Sequence, residues 1–504
     1  MDFRIGKRKW DKMYFKEASP ESVGISSKRV LDFIKTLDSY GFCTHDIIMS
    51  RGDKIFAEMY YAPFHKDYKH RMYSVSKSFV SIALGMAMEE GLVSLDDKLT
   101  DYFEEYVTDQ TPILIKETTI KDMLVMETSI SEGIDWFSSV KDDRCNLYFE
   151  SNPTKVNGTL FHYDSPASFM LGAIVEKVTG KPFLEYLKEK ALCEIGFSKD
   201  AYSLKAPGGY SWGDSAVMCT ARDLLIFARF VMNKGEWLGK KYMKSSFIED
   251  AVKRQVCNNL NGHMGGYGGY GYGYQIWKAP RDGFAFVGMG DQFAICDTET
   301  DFIFIINSDN QGNTATRPIL YHELYKSIIP NLGEPMSEDE SSLAELKKYM
   351  ASAKLFALEE VRDNPFIKDI NDKTYILDEN PMNIEYIKLS FEGKKGTLCY
   401  KNKQGEKELV FGIGYNEFGK FPEEGYSDEV GTVFAPGNFY ECAASADWAE
   451  DKKLRIKVQI IDKYFGNGLF VLSYKNDMVT LSMMSTAEAF MLEYRGIATG
   501  RLQQ

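Results

Sequence analysis

A serine and a lysine stand three residues apart where a polar stretch of the chain gives way to an apolar one. The segment reads Arg71-Met-Tyr-Ser74-Val-Ser-Lys77-Ser-Phe-Val and continues as an apolar run that predicts a helix. Positions i and i+3 share one helix face, so a serine hydroxyl and a lysine amine can point at the same spot. Serine needs a base to become a nucleophile, and a lysine acts as that base only where burial or nearby cations lower its pKa. The same spacing also occurs on solvated helices, so it does not by itself identify a catalytic pair, and other segments of the chain are needed.

Two further segments carry groups that suit the same chemistry. Phe161-His-Tyr163-Asp-Ser165 precedes a predicted helix, and Gly288-Met-Gly290-Asp291-Gln292 joins two predicted strands. The alternative interpretation makes Ser165 a helix N-cap, Tyr163 a core aromatic residue and the glycine segment an ordinary hairpin turn. A dinucleotide site is excluded at the glycines, because the third glycine and a surrounding βαβ unit are missing.

In this order the three segments resemble the serine beta-lactamase and penicillin-binding-protein superfamily. They are most similar to its class C-type beta-lactamase-related serine hydrolases, which include esterases, D-aminopeptidases and 6-aminohexanoate-dimer-type amidases. Tyr163-Asp-Ser165 matches the Tyr-x-Asn or Tyr-x-Ser motif of these relatives. Gly288–Gln292 matches the Gly-x-Gly-x-Gln turn of the esterase and amidase types. The resemblance extends over roughly residues 15–330.

The resemblance implies a role for each motif residue. Ser74 would be the acylated nucleophile, and Lys77 would accept its proton or keep Tyr163 deprotonated. Tyr163 would pass a proton to the leaving group and then activate the deacylating water. The backbone N–H of Ser74, with that of Asp291 or Gln292, would form the oxyanion site.

The sequence departs from beta-lactamases at two positions. Gly288-Met289-Gly290 stands where they carry Lys-Thr-Gly, and Ser165 stands where they carry Asn. Both changes remove polar contacts to a beta-lactam, so the pattern favours an ester or amide substrate. The missing cation also disfavours substrates with a free carboxylate near the scissile bond.

Aromatic residues outside the motifs are candidates for a substrate cleft. They are Trp136, Tyr210, Trp212 and the tyrosines of the Gly/Tyr-rich segment 265–274. In the alternative interpretation these tyrosines pack on the edge of a sheet.

The periodicity predicts an α+β fold, in which helices cover an antiparallel sheet. The predicted helices are Ser27–Tyr40, Ser74–Glu90, Ser165–Val178 and Thr220–Asn233. A hairpin is predicted around Arg51-Gly52-Asp53, and short strands follow from about residue 272 to residue 307.

The length of 504 residues predicts more than one domain. We assign residues 1–335 to a hydrolase domain, 336–364 to a linker with a helix, and 365–504 to a β-rich accessory domain. The short strands of this last part predict an all-β barrel or sandwich. Relatives in the superfamily sometimes append a lipocalin-like barrel, which this pattern is similar to.

The composition limits the classes of partner, the location and the cofactors that we expect. A formal net charge of −13 argues against nucleic acid, and the sequence has no apolar run of membrane-spanning length. The basic N-terminus lacks an apolar h-region, and the eight cysteines form no Cys-x-x-Cys pair, so we expect a cytoplasmic protein with reduced thiols. The six histidines form no metal-binding cluster, so we expect neither metal nor cofactor. The oligomeric state stays open.

The leading prediction is therefore a serine hydrolase that cleaves a small-molecule ester or amide through an acyl-enzyme on Ser74. The alternatives are a D-amino-acid peptidase or amidase acting on peptidoglycan-like fragments, and a catalytically silent binding module. Retention of Ser74, Lys77 and Tyr163 together argues against the silent module.

Overall fold

The computed structural model describes residues 14–130, 142–260, 269–359, 364–487 and 489–503. The chain divides into two compact units. The first contains the described residues up to Ser308, with Ala315–Lys354 and Asp428–Gly431. The second contains Asp309–Thr314, Leu355–Ser427 and the described residues from Thr432 onwards.

The first unit holds eleven α-helices within the described residues. They are α1 (Ser27–Ser39), α2 (Ser76–Glu89), α3 (Ile113–Lys116), α4 (Ile120–Leu124), α5 (Arg144–Phe149), α6 (Ser165–Thr179), α7 (Phe183–Leu187), α8 (Ala221–Met232), α9 (Ser245–Val252), α10 (Thr316–Glu323) and α11 (Glu340–Ala351). Its strands are β1 (Lys16–Glu17), β2 (Thr44–Arg51), β3 (Lys54–Tyr60), β4 (His70–Arg71), β5 (Tyr202–Ser203), β6 (Val217–Cys219), β7 (Glu236–Trp237), β8 (Lys240–Lys241), β9 (Trp277–Lys278), β10 (Phe284–Gly288), β11 (Gln292–Asp297) and β12 (Phe302–Ser308).

Seven of these strands form the central sheet, in the order β1-β3-β2-β12-β11-β10-β9. All neighbours are antiparallel except β1 and β3. Phe304 of β12 meets Phe33 of α1 edge to face, whereas Phe286 of β10 packs on Phe227 of α8. Phe286 shares a face with Ile305 through the strand register, so the two phenylalanines lie on opposite faces. Helices therefore cover both faces, and the predicted α+β class is confirmed.

The helix that follows Ser74 is less regular than predicted. Tyr73–Val75 forms a 3-10 turn, and the α-helix proper begins at Ser76. The strands predicted from about residue 272 begin only at β9, because Gln275 has a φ angle of 58°, in the left-handed region that a strand does not hold.

The second unit is a barrel. It contains α12 (Ile367–Ile370) and the strands β13 (Thr374–Leu377), β14 (Tyr386–Glu392), β15 (Lys395–Asn402), β16 (Gly405–Ile413), β17 (Glu417–Tyr426), β18 (Phe434–Glu450), β19 (Lys453–Ile461), β20 (Phe465–Lys475), β21 (Met478–Ala487) and β22 (Gly496–Leu502). Pairing of β16 with β18 closes nine strands, and β17 is added outside the ring on β18. The predicted all-β barrel is confirmed, and its likeness to lipocalins stays a prediction.

In the ranges described, none of the helices has the length and apolar character that crossing a membrane requires.

A carboxyl group is buried in the central sheet. Asp46 of β2 is wholly inaccessible, and the side-chain amide of Asn307 donates to its two oxygens at 2.9 and 3.1 Å. Burial raises the pKa of Asp46 to about 8, against the hydrogen bonds from Asn307, and the negative charge of Glu58 adds to the rise. His70 lies 3.5 Å away, and its pKa is lowered by burial to about 3.

Replacement of this carboxyl by an amide should change how stability depends on pH. Between pH 3.8 and about pH 8 the folded chain keeps a proton on Asp46 that the unfolded chain releases. The free energy of unfolding of the wild type should therefore fall as pH rises through that window, relative to Asp46→Asn. Urea unfolding of both proteins at pH 5 and pH 8 measures the difference. Asp32→Asn, at an exposed carboxylate, is the control, and an unchanged pH slope in Asp46→Asn would contradict the prediction.

Candidate active site

The turn that presents Ser74 is strained and firmly held. Tyr73 has a φ angle of 46°, in the left-handed region that bulky residues avoid. The guanidinium carbon of Arg71 lies 4.4 Å from the Tyr73 ring centroid and 4.5 Å from that of Trp212. The same guanidinium donates to the carbonyl and hydroxyl oxygens of Ser215 at 3.1 and 3.0 Å. These contacts fix the backbone on the residue before the nucleophile candidate.

Lys77 lies directly behind Ser74. Its side chain is 1% exposed, and its Nζ donates to Ser74 Oγ at 2.9 Å and to the carbonyl oxygen of Asp214 at 2.7 Å. Ser74 itself is half-buried. The predicted Ser-x-x-Lys pair is thus brought into hydrogen-bond contact in a site largely closed to solvent.

Tyr163 flanks the same amine from the start of α6. Lys77 Nζ lies 5.1 Å from the centroid of the Tyr163 ring, and that ring stacks on Trp277 with centroids 5.4 Å apart at 24°. Asp164, the next residue, caps α6 by accepting from Ala167 N at 3.0 Å. The helix therefore holds Tyr163 at a fixed place beside Lys77.

Two buried carboxyl groups, those of Asp164 and Asp214, interact with the charge of Lys77. Asp164 also accepts from Thr128 Oγ1 at 2.5 Å, and burial raises its pKa to about 6 against those hydrogen bonds and the positive charges of Lys155 and Lys77. Asp214 is 1% exposed, and within the described residues its carboxylate oxygens have no hydrogen-bond partner. Burial raises the pKa of Asp214 too, and the charge of Lys77 opposes the rise.

The glycine turn between β10 and β11 lies against the backbone of Met72, two residues before Ser74. Gly288 pairs with Gln292 across the hairpin, and a Cβ atom on Gly288 would stand 2.5 Å from the carbonyl oxygen of Met72. Only glycine permits that approach. Gly290 and Asp291 complete the turn with φ angles of 76° and 68°. The third predicted segment is therefore brought to the nucleophile turn.

The side chains of Asp291 and Gln292 are engaged within the fold. Thr316 Oγ1 and Arg317 Nε donate to the Asp291 carboxylate at 2.6 and 3.3 Å. Gln292 is fully buried, and its Nε2 donates to the carbonyl oxygens of Met289 and Ser308. The predicted oxyanion role of Asp291 or Gln292 thus rests on backbone N–H groups.

No described contact joins Ser165, Tyr210 or Trp212 directly to Ser74. Ser165 is the first residue of α6, and Asp164 is the N-cap, so the interpretation of Ser165 as N-cap is wrong. Trp212 is completely buried beside Arg71, and Tyr210 meets Phe103 edge to face at 6.2 Å. Trp136 lies outside the described residues.

Sequence reasoning missed Asp214, Trp277 and Gln275. Gln275 joins three helices: its side-chain oxygen accepts from Ser168 at 2.6 Å, its backbone oxygen accepts from Ser78 at 2.9 Å, and its Nε2 donates to the Met123 carbonyl at 2.8 Å. The sequence signal for Gln275 and Trp277 is a glutamine within the aromatic run Tyr274-Gln-Ile-Trp277. Nothing in the described ranges clusters three or more His, Cys, Asp or Glu residues as a metal site would.

A mostly antiparallel sheet between helices, with a Ser-x-x-Lys pair in hydrogen-bond contact at the start of one of them, fits the beta-lactamase-type hydrolases that the sequence segments resemble. A sequence model of the Beta-lactamase family matches residues 46–324, more than half of the chain. The chain belongs to the Beta-lactamase family.

Individual proteins are also similar to this chain. The 6-aminohexanoate-dimer hydrolase of Paenarthrobacter ureafaciens is 24% identical over 310 residues, which cover 57% of this chain and 77% of that protein. A Bacillus anthracis structure with a provisional 6-aminohexanoate-dimer hydrolase name gives a TM-score of 0.51 at 19% identity, covering 62% of this chain and 85% of its own. A family VIII carboxylesterase structure gives a TM-score of 0.47 at 14% identity, covering 62% and 99%. The Bacillus anthracis structure extends the likeness from the sequence to the fold.

Gly288→Ala should destabilise the turn beside Ser74. The added Cβ atom would stand 2.5 Å from the Met72 carbonyl oxygen and 3.0 Å from Gln292 Cβ, so the backbone must shift. We expect a loss of about 1–3 kcal/mol in the free energy of unfolding, as for other overpacked sites. Denaturant unfolding measures it, with Gly333→Ala as control because its nearest neighbour would lie 3.9 Å away. Equal stability of the two variants would contradict the close approach.

Proposed function

We propose that this protein is a serine hydrolase that cleaves an ester or amide bond through an acyl-enzyme on Ser74. The observation that carries the proposal is the 2.9 Å contact between Lys77 Nζ and Ser74 Oγ, made by an amine that is almost inaccessible to water. A buried amine beside a hydroxyl, with a tyrosine ring on its other side, is the set of groups that nucleophilic catalysis needs.

In the proposed reaction Ser74 Oγ attacks the substrate carbonyl and gives its proton to the Lys77–Tyr163 pair. The tetrahedral oxyanion collapses, the bond to the alcohol or amine breaks, and the pair returns the proton to that leaving group. Water then attacks the acyl-enzyme, and its proton passes through the pair to Ser74 as the carboxylic acid leaves. The amine donates to Ser74 and lies 5.1 Å from the centroid of the Tyr163 ring, and these two contacts support the pair as the proton carrier.

The glycine turn and one relative support an ester or amide as the substrate class. The turn offers Gly288-Met289-Gly290 and no lysine, so it lacks the cation that would hold the carboxylate of a beta-lactam. The name of the Paenarthrobacter relative describes the hydrolysis of a 6-aminohexanoate dimer. A substrate with no charged group next to the scissile ester or amide bond fits both observations.

A fluorophosphonate probe should label Ser74. The probe reacts with activated serines, and Lys77 supplies the activation. Intact-mass and peptide mass spectrometry should find one adduct, on Ser74, and none in Ser74→Ala. Ser81→Ala is the matched control, because Ser81 is a buried serine of α2 whose hydroxyl has no partner in the described residues. Labelling that persists in Ser74→Ala would contradict the assignment.

A substrate panel then separates the alternatives. Short-chain p-nitrophenyl esters and simple amides should turn over, whereas nitrocefin should not. Turnover confined to D-aminoacyl amides would favour the peptidase, and no turnover together with no labelling would favour the silent binding module.

Loss of either proton carrier should slow turnover. Lys77→Ala and Tyr163→Phe should each lower kcat for a p-nitrophenyl ester by about 100-fold or more, which is the usual contribution of a positioned proton carrier. Stopped-flow and steady-state assays measure this, with Tyr325→Phe as control because its hydroxyl has no partner among the described residues.

Lys77→Arg distinguishes the two proton routes. Arginine keeps the positive charge but does not release its proton. Retained turnover in Lys77→Arg would make Tyr163 the base, and loss of turnover would make Lys77 the base. Full activity of Lys77→Ala or Tyr163→Phe would remove that residue from the mechanism.

A further inference from the structure

Every carbonyl oxygen in the hairpin turn between β10 and β11 lies within hydrogen-bond distance of a side chain of β11 or β12. Gln292 Nε2 donates to the carbonyl oxygen of Met289 at 3.0 Å. The hydroxyl of Ser308, at the end of β12, lies 2.7 Å from the carbonyl oxygen of Gly290 and 3.0 Å from that of Asp291. Gln292 Nε2 also donates to the Ser308 carbonyl oxygen at 2.5 Å, which joins the two side chains into one support.

These contacts orient the amide groups of the turn. In a trans peptide the N–H of one residue points opposite to the C=O of the residue before it. Because the carbonyls of Met289, Gly290 and Asp291 face Gln292 and Ser308, the N–H groups of Gly290, Asp291 and Gln292 face away from those side chains. The Gln292 N–H faces Gly288 across the last pair of the hairpin, so the N–H groups of Gly290 and Asp291 are the ones on the outer side of the turn. The same turn lies against the Met72 carbonyl oxygen, two residues before Ser74.

The turn needs this support because its backbone is strained. Gly290 and Asp291 both have positive φ angles, which cost free energy at a non-glycine residue such as Asp291. The Asp291 carboxylate is anchored separately by Thr316 and Arg317. Without the hydroxyl of Ser308, the carbonyls of Gly290 and Asp291 would lose their partners, and the turn would relax.

We propose that Ser308 and the side-chain amide of Gln292 are positioning residues of the oxyanion site. They hold the turn so that its N–H groups receive the negative charge that forms on the substrate carbonyl oxygen as Ser74 attacks. This inference rests on the proposed function, since the oxyanion exists only if Ser74 is acylated. Neither side chain touches the reacting atoms, and the donors are backbone groups.

Ser308→Ala and Gln292→Met test the inference. Each removes a support and keeps the residue buried, and Ser50→Ala is the matched control, a buried strand serine of the same sheet whose hydroxyl has no partner in the described part of the chain. We expect kcat for a p-nitrophenyl ester to fall about 10- to 100-fold in both test variants while KM stays within twofold, because oxyanion contacts strengthen only in the transition state. The kcat–pH profile should keep its shape, and prolonged fluorophosphonate treatment should still label Ser74 completely.

The outcomes separate this inference from the proposed function. Wild-type kcat in both test variants would overturn the inference and leave the Ser74 mechanism standing. An equal loss in Ser50→Ala would also overturn it, since the loss would then reflect general weakening of the sheet. If the wild type shows neither turnover nor labelling, the proposed function fails and the inference falls with it. Should Ser308→Ala not fold, Gln292→Met decides alone, with thermal unfolding as the check.

Discussion

The amine of Lys77 is buried, and the candidate site is arranged around the hydrogen bonds that this burial demands. An unpaired ammonium or amine in such a place would be strongly destabilising. The partners come from the Ser74 turn and from the backbone carbonyl of Asp214. Asp214 reaches the amine because the preceding loop packs closely on α2: a Cβ atom on Gly213 would lie 3.0 Å from Val80. Close packing at a small residue is thus what completes the lysine site.

Hydrogen bonds of the buried Gln275 also fix the helices around the site relative to one another. Gln275 binds α2 through Ser78, α6 through Ser168 and α4 through the carbonyl of Met123, and its own φ of 58° turns the chain so that Trp277 stacks on Tyr163. A displacement of one helix would break several of these bonds together. The relative placement of serine, lysine and tyrosine therefore depends on residues that have no chemical role of their own.

The part of this arrangement that is local in the chain could be predicted. Ser74 and Lys77 share a helix face by spacing alone, and the sheet strands alternate or run apolar as buried strands do. The Asp214 contact could not be predicted, because a backbone carbonyl has no side-chain signature. The strands β17 and β18 could not be predicted from their residues either. They contain Pro, Gly, Glu and Ala, and pairing within the barrel overrides that low strand propensity.

Three ionisable groups share one buried space at the centre, which bears on the choice of base. The carboxyls of Asp164 and Asp214 both interact with the charge of Lys77, and burial raises the pKa of each. An ionised carboxylate favours a protonated amine, and a protonated carboxyl does not. The two carboxyls are therefore part of the electrostatic surroundings of the Lys77 amine, although the sequence motifs name neither.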